Sequence, residues 1–138
     1  MATVKQATVK NTRQLAEATK ASGTVTVLGE ILRTISGLAV VGTSATTRAT
    51  ILGVCNESIS AEDAKTRVSY IVPTDEDTFI FTTTNNTNAS HNGQAMVVGA
   101  NSTTINNTGT TSATGVVQQV EPFGAAADKL IIGRFLTL

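Results

Sequence analysis

One cysteine, one histidine, two prolines and no tryptophan occur in this chain of 138 residues, and only Tyr70 and four phenylalanines carry rings. Each shortage excludes something. A single cysteine, Cys55, cannot close an internal disulfide. One histidine, His91, and one cysteine do not supply the several His or Cys ligands on which zinc sites draw. Charged residues make up 14%, with ten basic and ten acidic side chains and a net charge of zero, against a usual share of about 25%. That balance provides no basic stripe for nucleic acid. Apolar runs last only a few residues, far short of the roughly 20 that span a bilayer. The opening Met-Ala-Thr-Val-Lys has no apolar core of a signal peptide, so synthesis in a cytoplasm is expected.

What the chain does have is threonine, asparagine, serine, alanine and small aliphatics. Threonine, valine and isoleucine suit the pleated, half-buried surface of a sheet. The length suits a single domain with its own core. Residues 1–22 read differently from the rest: Val4 and Val9 stand isolated, and Asn11 or Thr12 could cap a short helix over 13–20, ended by Ser22-Gly23. This predicts an N-terminal arm, 1–22, ahead of one β-domain, 23–138. From Thr24 the signals are those of strands. Val25 and Val27 alternate with threonines, and Gly29-Glu30 and Ser36-Gly37 mark turns around Ile31–Ile35. Leu38–Val41 follows, then Thr50–Val54 with Gly53 at a bulge or close backbone approach. Val68, Tyr70 and Val72 share one face, with Arg67 and Ser69 on the other, until Pro73; Phe79 and Phe81 share a face. Met96–Val98, Gly115–Val120 and Lys129–Leu136 complete the set, separated by Asn/Thr-rich loops at 84–92 and 102–114. Short strands at about 8–12-residue spacing, with no strand–helix alternation, predict an all-β fold: a small antiparallel β-barrel or sandwich.

Catalytic constellations are absent from the pattern. Nothing marks Ser90 and a distant aspartate as partners of His91 in the nucleophile–base–acid arrangement of hydrolases. Asp75-Glu76-Asp77 lacks the spacing of a calcium loop and reads as a solvated turn. The glycines show no phosphate-cradle spacing. Cys55, after Ile51-Leu52-Gly53-Val54, reads as a buried small hydrophobe. The Asn-x-Ser/Thr triplets at Asn56, Asn85, Asn88, Asn101 and Asn106 read as polar loops. No catalytic, cofactor-binding or metal-binding residues are assigned, and the chain is not expected to be an enzyme. Charge is placed unevenly: residues 1–33 hold five basic side chains, Lys5, Lys10, Arg13, Lys20 and Arg33, against two acidic ones, and the remainder holds five against eight. A basic arm on a mildly acidic body can steer docking onto an acidic surface.

In their order, Val27-Leu28-Gly29-Glu30-Ile31-Leu32, Ser36-Gly37-Leu38-Ala39-Val40, Ile51-Leu52-Gly53-Val54, Val68–Thr74, Phe79-Ile80-Phe81 and Thr114-Gly115-Val116-Val117 resemble the decoration (cement) proteins of tailed-bacteriophage capsids. The Asn/Thr loops are not part of that pattern. The resemblance implies a β-tulip-like module with a terminal arm lying on the capsid. It implies a structural virion protein on the outer capsid surface that bridges neighbouring major capsid proteins and stabilises the shell. Lys5, Lys10, Arg13 and Lys20 would then be the capsid-docking side chains. Threonine-rich strand edges would contact sister copies in a homo-oligomer, a trimer being favoured; no cofactor, nucleic acid or membrane is implied. The alternative from another class is a receptor- or glycan-binding β-module of a phage fibre or bacterial surface, which the shortage of rings disfavours.

Overall fold

The computed structural model describes residues 4–6, 14–74, 77–110 and 113–136. Among these, eleven strands run in chain order: β1 (Val4–Gln6), β2 (Leu15–Thr19), β3 (Ile31–Ile35), β4 (Leu38–Val41), β5 (Ile51–Cys55), β6 (Arg67–Ile71), β7 (Phe79–Thr82), β8 (Ala95–Val98), β9 (Ile105–Asn106), β10 (Val117–Pro122) and β11 (Leu130–Phe135). Single 3-10 turns cover Ala89–His91 and Ala126–Asp128. The strands form two antiparallel sheets, a six-stranded one in the order β1-β7-β11-β10-β8-β9 and a five-stranded one in the order β2-β6-β5-β3-β4. The all-β expectation is met.

Local chemistry fixes several of these elements. Ser36 and Gly37 both take positive φ, 52° and 79°, between the paired residues Ile35 and Leu38. Two consecutive positive φ values match the right-handed twist of a tight hairpin. Gly53 sits beside a register shift, where Leu32 faces Gly53 and Arg33 already faces Ile51. A Cβ on Gly53 would come within 2.2 Å of the Ile71 carbonyl oxygen, so the close approach of β5 to β6 needs glycine. β10 bulges between Gln119 and Glu121 and runs on to Pro122. Its pairing with β8 is confined to Val117 and Gln118, so Pro122 lies where that side of the ladder has ended and its missing N–H costs nothing.

The short helix expected over 13–20 is a strand. Leu15–Thr19 pairs residue for residue with β6. Ala16 and Ala18 turn inward, while Leu15, Glu17 and Thr19 turn out. The local composition favours a helix, but a helix of two turns is marginal alone, and a five-residue ladder to β6 pairs the backbone while half-burying two alanines. The stretch 1–22 thus supplies an edge strand to each sheet, β1 beside β7 and β2 beside β6.

Alternation divides the core in two. Between the sheets lie Ile31, Val54 and Ile71 of the five-stranded sheet, against Phe79, Phe81, Met96, Val98, Val117, Ile131 and Phe135. The three rings meet edge-on or tilted, with centroids 5.4–6.1 Å apart. Each buried ring contributes about 1.5–3 kcal/mol by leaving water, and each edge contact about 0.5–1.5 kcal/mol more. The opposite face of the five-stranded sheet curls around a second cluster: Leu32, Ala39, Cys55, Ile59 and Val68. The curl brings its two edges together, where Lys20 bridges Ala39 and the Ala21 N–H donates to the Ala39 carbonyl at 3.0 Å. The sequence pattern sets Val68, Tyr70 and Val72 on one face of β6 and Arg67 and Ser69 on the other. Because this sheet is covered on both faces, Ile71 is buried in the other cluster.

Candidate functional site

The segment 24–30 closes one end of the curl. Thr26 exchanges both backbone hydrogen bonds with Ile59, at 3.0 and 3.1 Å, and the Gly29 N–H donates to the Cys55 carbonyl at 2.8 Å. Thr26 points inward and is buried, its Oγ1 donating to the Glu57 carbonyl at 2.9 Å. Its neighbours therefore point out: Val25, Val27 and Leu28 are exposed, Leu28 by 51%. The usual pattern of apolar in and polar out is inverted here. The buried Glu30 anchors the same segment by accepting from the Val27 N–H and the Ser102 hydroxyl. Three aliphatic side chains are thus displayed on backbone that hydrogen bonds hold in place. Leu15, Ile35 and Leu38 are also exposed on this half of the molecule, and Val120 and Phe123 at the end of β10.

A polar cleft of about 490 Å³ opens elsewhere, lined by Arg48, Gly93, Gln94, Ala95, Thr110, Gln118 and Leu136. Its walls are held by bonds within the chain. Arg48 Nε donates to the Gly115 carbonyl at 2.7 Å, and Gln118 donates to the Gly93 carbonyl while accepting from Arg134 Nε. No ring and no carboxylate line it.

The basic residues singled out from the sequence are not gathered by the described structure. Lys5 lies in β1 at the edge of the six-stranded sheet, opposite Ile80. Lys20 lies at the seam of the five-stranded one. Lys10 and Arg13 lie outside the described residues. Asp75 and Glu76 lie outside them too, whereas Asp77, read as part of a solvated turn, is 1% exposed and capped by Thr74, whose carbonyl and Oγ1 both accept from its N–H. His91 ends the first 3-10 turn, with its Nδ1 buried and without a hydrogen bond. Cys55 is buried, and desolvation pushes its thiol above the ordinary 9.0, against the bond that Sγ donates to the Glu57 carbonyl. A buried, raised thiol is a poor nucleophile. Among the described residues no group of three or more His, Cys, Asp or Glu side chains could hold a metal, and no helix is long and apolar enough to cross a membrane.

Two polar anchors had no sequence signal. Asn107 is buried between the Asn/Thr loops. Its Oδ1 accepts from Thr84 Oγ1 and the Asn85 N–H, and its Nδ2 donates to the carbonyls of Asn85 and Asn86. The loops at 84–92 and 102–114 are thereby locked to each other. Gln119 is fully buried under the 88–92 turn and donates to the Asn88 carbonyl and to Asn92 Oδ1, both at 2.9 Å. In comparisons with protein-family models, curated proteins and solved structures, the chain matches none.

Proposed function

We propose that the chain is a structural protein that docks by its surface onto other protein, and specifically a decoration protein on the outer face of a bacteriophage capsid, bridging neighbouring major capsid proteins. The observation that carries a docking role is the inverted segment 24–28, where a threonine is buried and Val25, Val27 and Leu28 face solvent on hydrogen-bonded backbone. Apolar side chains held outward on a rigid frame mark interaction surfaces, and a frame that is already ordered loses little entropy on binding. The resemblance of the ordered sequence motifs to cement proteins is what favours the capsid as partner. Stabilisation of the shell follows by linkage, since every bound copy adds contacts that must break before the shell opens, and many symmetry-related copies multiply a modest contact energy. In this reading the protein resides on the virion surface, and sister copies associate as a homo-oligomer, a trimer being favoured. Lys5, Lys10, Arg13 and Lys20 add attraction to acidic capsid surface.

The second reading, a glycan- or receptor-binding module, has the polar cleft in its favour, but no aromatic side chain among the lining residues offers a face to a sugar ring. Co-sedimentation of the purified protein with capsids from its own source separates the two. Saturable binding of fixed stoichiometry, lost in a Val25→Ser/Val27→Ser/Leu28→Ser triple variant that folds normally, is the expected result. Absence of binding, with saturable hits on a glycan array, would replace this reading by the second.

A further inference from the structure

Cross-strand pairing sets Ile35 opposite Leu38, and Arg33 between Val40 and Ile51. Directly paired residues share a face, so all five side chains lie on the outer wall of the curled sheet, the same face that carries Ile31 and Val54. Those two are covered by the six-stranded sheet. Towards the β3–β4 hairpin the cover ends: Ile35 is 49% and Leu38 37% exposed, and Val40 and Ile51 are half-buried. Arg33 stands in the middle of this apolar wall. Its Nε is buried and makes no hydrogen bond. β3, β4 and β5 contain no acidic residue, and neither ion pair among the described residues involves Arg33.

A guanidinium donor shut away from water without an acceptor is costly. Nε itself leaves no surface for a partner atom, so the remaining donors of the half-buried guanidinium are the ones a partner can meet, and the group that fits them best is a carboxylate, whose two oxygens match the guanidinium fork. Aliphatic side chains on either side of that carboxylate would cover Ile35 and Leu38 at the same time. We propose that this wall docks a segment of a different protein in which an acidic residue is flanked by aliphatic ones. The proposal rests on the docking role proposed above and names the chemistry of the partner at one surface. A second copy of this chain is less suited to the place: among the described acidic residues, Glu17, Glu30, Glu57, Asp63 and Asp128 already accept hydrogen bonds within their own chain, and the exposed Glu62 and Glu121 stand in Ala61-Glu62-Asp63 and Val120-Glu121-Pro122, without aliphatic residues on both sides.

The test uses two probe peptides, acetyl-Leu-Asp-Leu-amide and acetyl-Leu-Asn-Leu-amide, titrated into the isotope-labelled protein and followed by backbone amide shifts. The aspartate peptide should move the amides of 33–40 and 51 and bind about threefold to tenfold more tightly than the asparagine peptide. Arg33→Gln should erase that preference, Arg33→Lys should keep part of it, and Leu38→Ser should weaken both peptides. Equal binding of the two peptides, or no shifts at this wall, overturns the proposal. On capsids that bind the wild type, Arg33→Gln and Leu38→Ser should each lower affinity by about tenfold, as central interface contacts do. Unchanged affinity overturns the wall as a docking surface while leaving the capsid role standing. Capsids that fail to bind the wild type overturn the capsid role, and the peptide titration then decides the wall alone. A concentration-dependent dimer in analytical ultracentrifugation that Leu38→Ser dissociates assigns the wall to a second copy and overturns the proposal.

Discussion

Ser102 donates its hydroxyl to the carboxylate of Glu30, 72 residues away in sequence, and both side chains are buried. The Ile31 N–H also donates to the Ser102 carbonyl at 3.1 Å. This contact ties the late Asn/Thr loop to the turn that leads into β3. Because Glu30 also holds the Val27 N–H, Glu30→Ala leaves two donors without an acceptor. It should cost about 2–3 kcal/mol, whereas Ser102→Ala should cost about 1–2 kcal/mol. Urea midpoints compared at constant slope check the order; a Ser102 variant as damaging as the Glu30 variant would contradict it.

Asn107→Ala should cost about 2–3 kcal/mol, since four bonds to Thr84, Asn85 and Asn86 go at once. The effect should be local first. Hydrogen exchange at the Asn85 amide should quicken, while exchange in β5 and β6 stays at the global rate.

Gly53→Ala should be among the most damaging small substitutions, at about 3 kcal/mol, because the added methyl meets the Ile71 carbonyl at 2.2 Å and the Tyr70 ring at 2.9 Å. Gly93→Ala is the control: its Cβ would meet nothing within 4 Å and its cost comes only from a positive φ of 81°. That cost is about 1–2 kcal/mol. Thermal melts of the two variants should separate clearly.

Glu57 gives stability a pH signature. The bond from Lys65, and after it the Ser69 N–H at 2.7 Å, hold its carboxyl below the ordinary 4.5. The same bond raises Lys65 above its ordinary 10.5. A lowered acid contributes fully above its unfolded value, and its contribution is lost as pH falls through the folded one. A raised base contributes fully below its unfolded value and loses that as pH rises through the folded one. The wild type should therefore exceed Glu57→Gln by a constant margin between about pH 6 and 9, and the margin should close in acid. Urea midpoints across pH read this directly. A margin that persists undiminished at about pH 2 would contradict it.

Serine in place of Val25, Val27 and Leu28 should leave stability within about 0.5 kcal/mol per site, as exposed substitutions do. A drop of several kcal/mol in the melt would mean that these side chains pack within the fold.

Much of the fold was legible because its cues are short-range. Ser36-Gly37 between two aliphatic runs announces a tight hairpin, and a lone glycine in Ile51–Val54 announces a bulge. Leu15–Thr19 reads as helix because Asn11 or Thr12 can cap one and Leu, Ala and Glu favour one locally, while the strand depends on β6, about fifty residues on. The burial of Ile71, on the face it shares with Arg67 and Ser69, has no short-range cue, because simple alternation assumes one covered face and this sheet has two. Asn107 and Gln119 could not be singled out in a chain full of such residues, since their partners lie 21–31 positions away. The Arg33 wall also depends on pairing: only the register brings Leu38, Val40 and Ile51 around it.

The seam at Lys20 and Ala39 has a consequence for how copies can meet. A sheet grows by adding strands to an open ladder. Here the five-stranded sheet has drawn its two borders together, and the other sheet ends in strands of three and two residues, β1 and β9. Among the described residues, no long row of unpaired backbone groups is offered to a neighbour. A protein of zero net charge is thereby steered away from fibrils. Contact between molecules is left to side chains on curved faces, where it can be discrete, saturable and reversible.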